Sequence, residues 1–214
     1  MSTSHPSDLL RKQLRLQRQS LSPVQQIQHA QLAQQHLVHF LASTEQLHSQ
    51  KKLNIAFFRA QDGELSTDLA IQYLWHASPH KVWLPILKTN PPEHKTTGHM
   101  AFAEYTPSTP MKKNNFAILE PDLPQNTWVS GQALDLVLMP LVGFDTFGNR
   151  MGMGGGYYDR TFQFKQQSSK IAPLLIGWAH SCQQVEQLPV NPWDIPLDGI
   201  ITETGALNFP PPII

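Results

Sequence analysis

The densest run of chemistry-capable residues extends from Met139 to Arg160: Met-Pro-Leu-Val-Gly-Phe-Asp-Thr-Phe-Gly-Asn-Arg-Met-Gly-Met-Gly-Gly-Gly-Tyr-Tyr-Asp-Arg. Five glycines, at 148, 152, 154, 155 and 156, fall within nine residues. A backbone without Cβ atoms can approach a ligand closely and turn its N–H groups inward. The string follows an apolar run and should open a helix, whose N-terminus would add partial positive charge. Arg150 and Arg160 add full charges, and Asp145 and Asp159 offer carboxylates to a metal. Together these residues read as a site for phosphate and Mg²⁺. The string is not a Walker A loop, because no Gly-Lys-Ser/Thr follows, and not the dinucleotide fingerprint, because Tyr157 stands where the last glycine belongs. On composition alone, a merely structural tight loop stays open as the other reading.

The elements that must position this loop can be read from periodicity. Leu10, Leu14 and Leu21, then Ile27, Leu32, Leu37 and Leu41, recur at helical spacing. Ser22-Pro23 is a helix start, serine as cap and proline at the first helical position. Helices are therefore predicted near 7–19 and 23–43. The first fifty residues hold 11 of the chain's 21 glutamines, which form the solvated faces of those helices. His29, His36 and His39 lie on the second helix, where His29/His36 and His36/His39 could share a face, but no carboxylate or cysteine completes a site and no metal is expected there. Strands are predicted at 53–58, 81–87, 100–105, 134–140, 172–179 and 199–202, and helices at 66–76 and 157–167. Residues 88–98 read as a loop, 106–130 as a long connection, and 208–214 as an extended tail following a single domain over 1–207. Strands alternating with helices predict an α/β protein: a three-layer α/β/α domain with a mostly parallel central sheet.

Composition narrows the function classes. The chain has 214 residues, enough for a substantial core. Sixteen basic residues balance sixteen acidic ones, which argues against a nucleic-acid partner, since such binding neutralises many phosphates. A single cysteine, Cys182, cannot form an internal disulfide and fits a cytoplasmic protein. No apolar run is long enough for a membrane span, and the polar Met1–Asp8 is no secretory signal. No membrane partner is expected.

The string Asn149-Arg-Met-Gly-Met-Gly-Gly-Gly-Tyr-Tyr-Asp-Arg160 resembles the signature of the 5-formyltetrahydrofolate cyclo-ligase (5,10-methenyltetrahydrofolate synthetase) family. Other segments match in the same order: Leu10-Arg11, Gly63-Glu64-Leu-Ser-Thr67, Val82-Trp-Leu-Pro85, Met100-Ala-Phe102, Leu119-Glu-Pro121 and Asp194-x-x-x-Asp198-Gly-Ile-Ile-Thr202-Glu203. The resemblance covers nearly the whole chain. It implies the NagB/RpiA/CoA transferase-like fold, a monomer, and an ATP- and Mg²⁺-dependent closure of 5-formyltetrahydrofolate to 5,10-methenyltetrahydrofolate with release of ADP and phosphate.

The resemblance also implies roles. Arg150, Met151, Gly152, Met153, Gly154, Gly155, Gly156, Tyr157 and Tyr158 would wrap the ATP phosphates, joined by Ser7, Asp8, Leu9, Leu10 and Arg11. Arg150 and Tyr157 would be catalytic. Met153, Gly154, Gly155, Gly156 and Tyr157 would also face the folate's formyl end, together with Arg11 and Arg59. Glu64 would hold the pterin, with Met100, Phe102, Phe58 and Phe144 as its apolar wall. Asp159 and Asp198 would ligate Mg²⁺. One departure stands out: Ser7 occupies the position of the family's basic residue four before Arg11, which predicts weaker ATP binding or an altered geometry. Another enzyme on a related α/β scaffold, or a non-catalytic folate- or nucleotide-binding relative, would be the competing readings.

Overall fold

Helices α1 (Pro6–Gln19) and α2 (Pro23–Ser43) form where the leucine spacing and the Ser22-Pro23 start place them. Ser22 and Gln25 complete a reciprocal capping box, which satisfies two otherwise orphaned backbone N–H groups. The computed structural model describes residues 6–48, 51–90, 95–167 and 173–210. The buried stripe of α2 is Ala30, Ala33, Leu37, Phe40 and Leu41. Ile27 and Leu32, expected on that stripe, are exposed instead. In the first half of the helix Ala30 and Ala33 supply the contact and let the backbone lie close, while Leu37, Phe40 and Leu41 fill it further along. A short α3 (Glu45–His48) follows.

The remaining elements in chain order are β1 (Asn54–Ala56), α4 (Asp68–Ala77), β2 (Lys81–Asn90), β3 (Lys95–Glu104), β4 (Met111–Lys113), β5 (Leu119–Pro121) and β6 (Leu136–Met139). Next come β7 (Gly143–Phe144), β8 (Arg150–Met151), α5 (Tyr157–Thr161), β9 (Leu174–Trp178), β10 (Gly199–Thr202) and β11 (Gly205–Asn208). Seven strands make one sheet in the order β11-β10-β9-β6-β1-β2-β3. The five strands from β10 to β2 are mutually parallel, and β3 and β11 add antiparallel edges. The expected mostly parallel α/β architecture is present.

Alternation along each strand feeds two cores, one per face, as a sheet covered on both sides requires. Ile55, Leu136, Leu138, Ile176, Trp178 and Ile201 pack toward α2 and α4. Ala56, Val137, Met139, Leu175 and Ile200 pack toward Phe162, Ile195, Leu197 and Phe209 on the opposite face. No helix among the described residues is long and apolar enough to cross a membrane.

Four boundaries differ from expectation. The loop predicted over 88–98 is largely strand, because an antiparallel ribbon can extend on backbone pairing without an apolar pattern; residues 91–94 lie outside the described residues. The long connection contains the β4–β5 ladder. The helix predicted over 157–167 stops at Thr161 and continues as a 3₁₀ turn over Gln163–Gln166. The tail predicted from 208 begins later: Asn208 pairs with Gly199, and Phe209 is buried beside Gly148. Residues 211–214 lie outside the described residues.

Candidate active site

The parallel strands follow the order 2-1-3-4-5 in their own sequence, so strand succession reverses between β1 and β6. Ligands of open α/β sheets bind beyond the carboxyl ends of the strands at such a switch point. The two segments leaving those strands here are Phe57–Glu64 and the run from Pro140 into the glycine loop. The sequence reasoning singled out both segments.

Helix α1 crosses this opening and joins them. Leu14 is buried against Gly143, where a Cβ would meet its Cδ1 at 2.5 Å. One turn toward the N-terminus, Arg11 Nε donates to the Gly152 carbonyl at 3.0 Å, while Nη1 pairs with Asp8 at 2.6 Å. Of the expected Ser7–Arg11 segment, Arg11 itself reaches the glycine loop and Asp8 reaches Arg11. One turn toward the C-terminus, Arg18 is fully buried. It donates from Nη1 to the Leu141 carbonyl at 3.1 Å, from Nε to the Asp62 carbonyl at 2.9 Å, and from Nη2 to Asp62 Oδ2 at 2.9 Å. Its guanidinium also lies 3.6 Å from Glu64 Oε1. Sequence reasoning missed Arg18, although the spacing of Arg11, Leu14 and Arg18 by three and four residues placed it on the inward stripe.

Asp62 and Gly63 both adopt left-handed backbone, with φ of 53° and 72°. This tight turn sends Glu64 back toward Arg18. The hydrogen bond from Arg15, reinforced by Arg18, holds the Asp62 carboxyl at about 2. Burial pushes the Glu64 carboxyl the opposite way, above its usual range, against the pull of Arg18. Burial and the nearby Glu64 charge also push the Tyr158 phenol up, whereas Arg150 draws it down. Glu64, Tyr158 and Arg150 thus share one electrostatic neighbourhood.

The loop itself is open on one side. A Cβ at Gly152 or Gly154 would meet nothing within 4 Å, and Met153 is exposed. Arg160 braces the other side, donating from Nε to the Gly98 carbonyl at 2.9 Å and from Nη2 to the Gly155 carbonyl. Its guanidinium also lies over the Tyr157 ring, 5.4 Å from the centroid. Gly156 has φ of 63°, and a Cβ there would come within 2.7 Å of Arg160. Arg150 enters from β8 with its side chain 5% exposed and donates from Nη2 to Asp159 Oδ1 at 2.7 Å. Its Nε is buried without a hydrogen-bond partner among the described residues. Buried donors rarely stay unpaired, because each costs about 1–3 kcal/mol, and a ligand oxygen reaching this one would remove that cost.

Several expected roles need correction. The α5 helix is too short to contribute a helix-terminus charge. Asp145 is no metal candidate: it is fully buried and accepts from the Phe147, Asn149 and Leu188 N–H groups and from Asn149 Nδ2, which fixes the β7–β8 turn. Asp198 precedes β10 at the amino end of that parallel strand, whereas the glycine loop follows the carboxyl end of β6. Its carboxylate is engaged by Lys165 at 2.6 Å and by the Leu175 N–H at 2.7 Å. No hydrogen bond or ion pair among the described residues joins it to Asp159, while the Leu197 N–H beside it donates to the Gly148 carbonyl at 2.9 Å. Asp159 does sit beside the loop; its Oδ1 accepts from Arg150 and from the Ile195 N–H at 3.2 Å. One carboxylate beside the glycine loop is of the type that holds Mg²⁺, which keeps waters and is commonly bound by one or two carboxylates plus phosphate oxygens. Phe102 is fully buried against Phe162, with centroids 6.1 Å apart, and is a packing residue rather than an open wall. Met100, Phe58 and Phe144 are buried too, and Arg59 pairs with Asp68 at 2.9 Å. Ser7 lies in the first turn of α1.

The chain is similar to known proteins along most of its length. Residues 3–203 match the family described as 5-formyltetrahydrofolate cyclo-ligase. The chain is 42% identical over 193 residues to the Haemophilus influenzae 5-formyltetrahydrofolate cyclo-ligase, covering 90% of this chain and 95% of that protein. It is 40% identical over 155 residues to the Escherichia coli K12 5-formyltetrahydrofolate cyclo-ligase, covering 72% and 80%. The solved structure of a Mycoplasma pneumoniae 5,10-methenyltetrahydrofolate synthetase superposes with a TM-score of 0.66 at 26% identity, over 93% of this chain and 99% of that one. The NMR structure of the Aquifex aeolicus 5,10-methenyltetrahydrofolate synthetase shares the fold with a TM-score of 0.73 at 24% identity, over 98% and 96%.

Proposed function

The chain belongs to the 5-formyltetrahydrofolate cyclo-ligase family and is an enzyme forming 5,10-methenyltetrahydrofolate, and we propose that it does so by ATP-dependent activation of the formyl oxygen. The observation that carries the nucleotide reading is the loop: open-faced Gly152 and Gly154, with Arg11 on one side and the buried, unpartnered Nε of Arg150 on the other.

An N-formyl oxygen is a poor leaving group. Transfer of the γ-phosphoryl group to it gives an iminium phosphate and ADP. N10 then attacks the formyl carbon, the C–O bond breaks with release of phosphate, and the N10 proton is lost to solvent. Catalysis of this kind is mainly positioning and charge neutralisation. Arg150 meets the transferring phosphoryl group, and Arg11 holds the loop that carries the remaining phosphates. Tyr157, braced by Arg160, closes the folate side. Glu64 binds the pterin, accepting from its N–H groups at the switch point. Asp159 would hold Mg²⁺, which neutralises phosphate charge when bound; Asp159→Asn should raise the Mg²⁺ concentration needed for half-maximal turnover at least tenfold.

Purified protein mixed with MgATP and 5-formyltetrahydrofolate should show growth of the methenyl chromophore in the near ultraviolet that depends on ATP. Growth without nucleotide would remove the activation step.

Two substitutions separate the subsites. Gly152→Ala places a methyl group in open space, without positive-φ strain. Its melting temperature should therefore match the wild type, while the KM for ATP rises by more than tenfold, because the methyl takes the space a phosphate needs. An unchanged KM would move the nucleotide elsewhere. Glu64→Gln removes a carboxylate whose charged form is disfavoured by burial. A raised folded-state value means that ionisation of Glu64 costs stability as pH rises through it. The glutamine variant should accordingly melt no lower than wild type at pH 7, while folate affinity falls about a hundredfold and ATP affinity changes little. Equal loss of both affinities would contradict the pterin role.

A further inference from the structure

Among the described residues, one group of metal-capable side chains stands apart from the glycine loop. His29 on α2, His180 just after β9 and Glu203 directly after β10 bring one ligand atom each within 4.8 Å of one another. His29 Nδ1 lies 2.8 Å from His180 Nδ1 and 3.7 Å from Glu203 Oε1. Ligand atoms about 2.0–2.2 Å from a tetrahedral ion are separated by roughly 3.3–3.5 Å, and the two distances bracket that spacing. We propose that His29, His180 and Glu203 form a binding site for a borderline divalent ion of the Zn²⁺ type, with a fourth position left to water.

The ligands are held before any ion arrives. Glu203 accepts from the Ser181 N–H at 3.0 Å and from the Ser181 hydroxyl, which fixes its carboxylate. His180 is fully buried, and its backbone N–H is fixed on Gln183 Oε1 at 2.9 Å. With His180 Nδ1 facing the cluster, the His29–His180 contact holds one shared proton, and an ion would displace it. Among the described residues His180 Nε2 has no hydrogen-bond partner, and the Gly63 backbone lies beside that ring. Two imidazoles and one carboxylate suit Zn²⁺ or Co²⁺ far better than Mg²⁺, which prefers an all-oxygen shell. The ion would tie α2 to the carboxyl ends of β9 and β10, and its effect would be to clamp that helix onto the sheet.

Full-length protein stripped with chelator and desalted should bind one equivalent of Co²⁺, with the visible absorption of a four- or five-coordinate site. Zn²⁺ should compete for it and raise the melting temperature. His29 is partly exposed, so His29→Ala should fold and lose about a hundredfold in affinity, at least what loss of a supporting partner costs. Glu203→Gln should behave alike, and the exposed His39→Ala should not change binding. Absence of stoichiometric binding, or binding that survives His29→Ala on other histidines of the chain, would overturn the site.

Discussion

Arg150→Met should lower kcat by about a thousandfold while the protein still folds. Removing one preorganised donor from a developing charge typically costs about 10²–10³ in rate, and an arginine at a transferring phosphoryl group about 10³–10⁵. Arg150 qualifies on two observations: its side chain is 5% exposed, and its Nε has no hydrogen-bond partner among the described residues. The structural cost is limited, because Asp159 keeps the Ile195 N–H and remains partly exposed. Methionine also matches the stem of arginine and leaves no buried donor unpaired. Arg150→Lys should recover only part of the rate, since a single ammonium cannot serve Asp159 and a phosphate oxygen in the same fork geometry. The absorbance assay at saturating folate and MgATP, run beside a thermal melt, measures both quantities. A kcat within tenfold of wild type would place Arg150 among the structural residues and leave the phosphoryl group without its main cation.

What the sequence disclosed, and what it withheld, follows one physical division. Local signals were legible. The Ser22-Pro23 cap, the apolar runs of the central strands and the glycine loop each depend on neighbours within a few residues. Joint features that depend on distant segments were not. Asp198 looks like Asp159 in sequence, an acid beside glycine or arginine, yet distant partners separate their surroundings: Lys165 and the Leu175 N–H engage Asp198, while Arg150 engages Asp159. Asp145 sits in the same motif as Arg150, and its environment turns it into a cap for the backbone of its own turn. His29 shows no partner along α2, because its partners arrive from the ends of β9 and β10. The open face of Gly152 and the crowded face of Gly156 are equally invisible in a run of glycines, since each depends on what approaches from elsewhere.

Arg18→Met should destabilise the protein more than any other single change considered, by roughly 3 kcal/mol, the lower end of the 3–5 kcal/mol expected when one partner of a buried ion pair is removed. The lower end follows from the acceptors that remain. Asp62 keeps Arg15 at 2.7 Å and Gln19, and the Leu141 carbonyl keeps Gln183 Nε2 at 2.9 Å. Glu64, already drawn toward its neutral form by burial, can protonate once the guanidinium has gone. The Asp62 carbonyl loses the bond from Arg18 Nε, and α1 loses its anchor to both segments that leave the switch point. Folate affinity should therefore fall with stability, because the Asp62-Gly63 turn sets the direction of Glu64. The pH profile gives an independent check. The Asp62 carboxyl is held at about 2, below its ordinary 3.8, so its contribution is complete above about pH 4 and disappears as pH falls toward 2. Arg15 is the larger cause of that depression, so Arg18→Met should retain a reduced acid limb, whereas Asp62→Asn should abolish it. Denaturant melts of the three proteins between pH 2 and 7 measure the effect. A loss under about 1 kcal/mol for Arg18→Met at pH 7 would mean that α1 is held by Leu14 and the surface pairs instead.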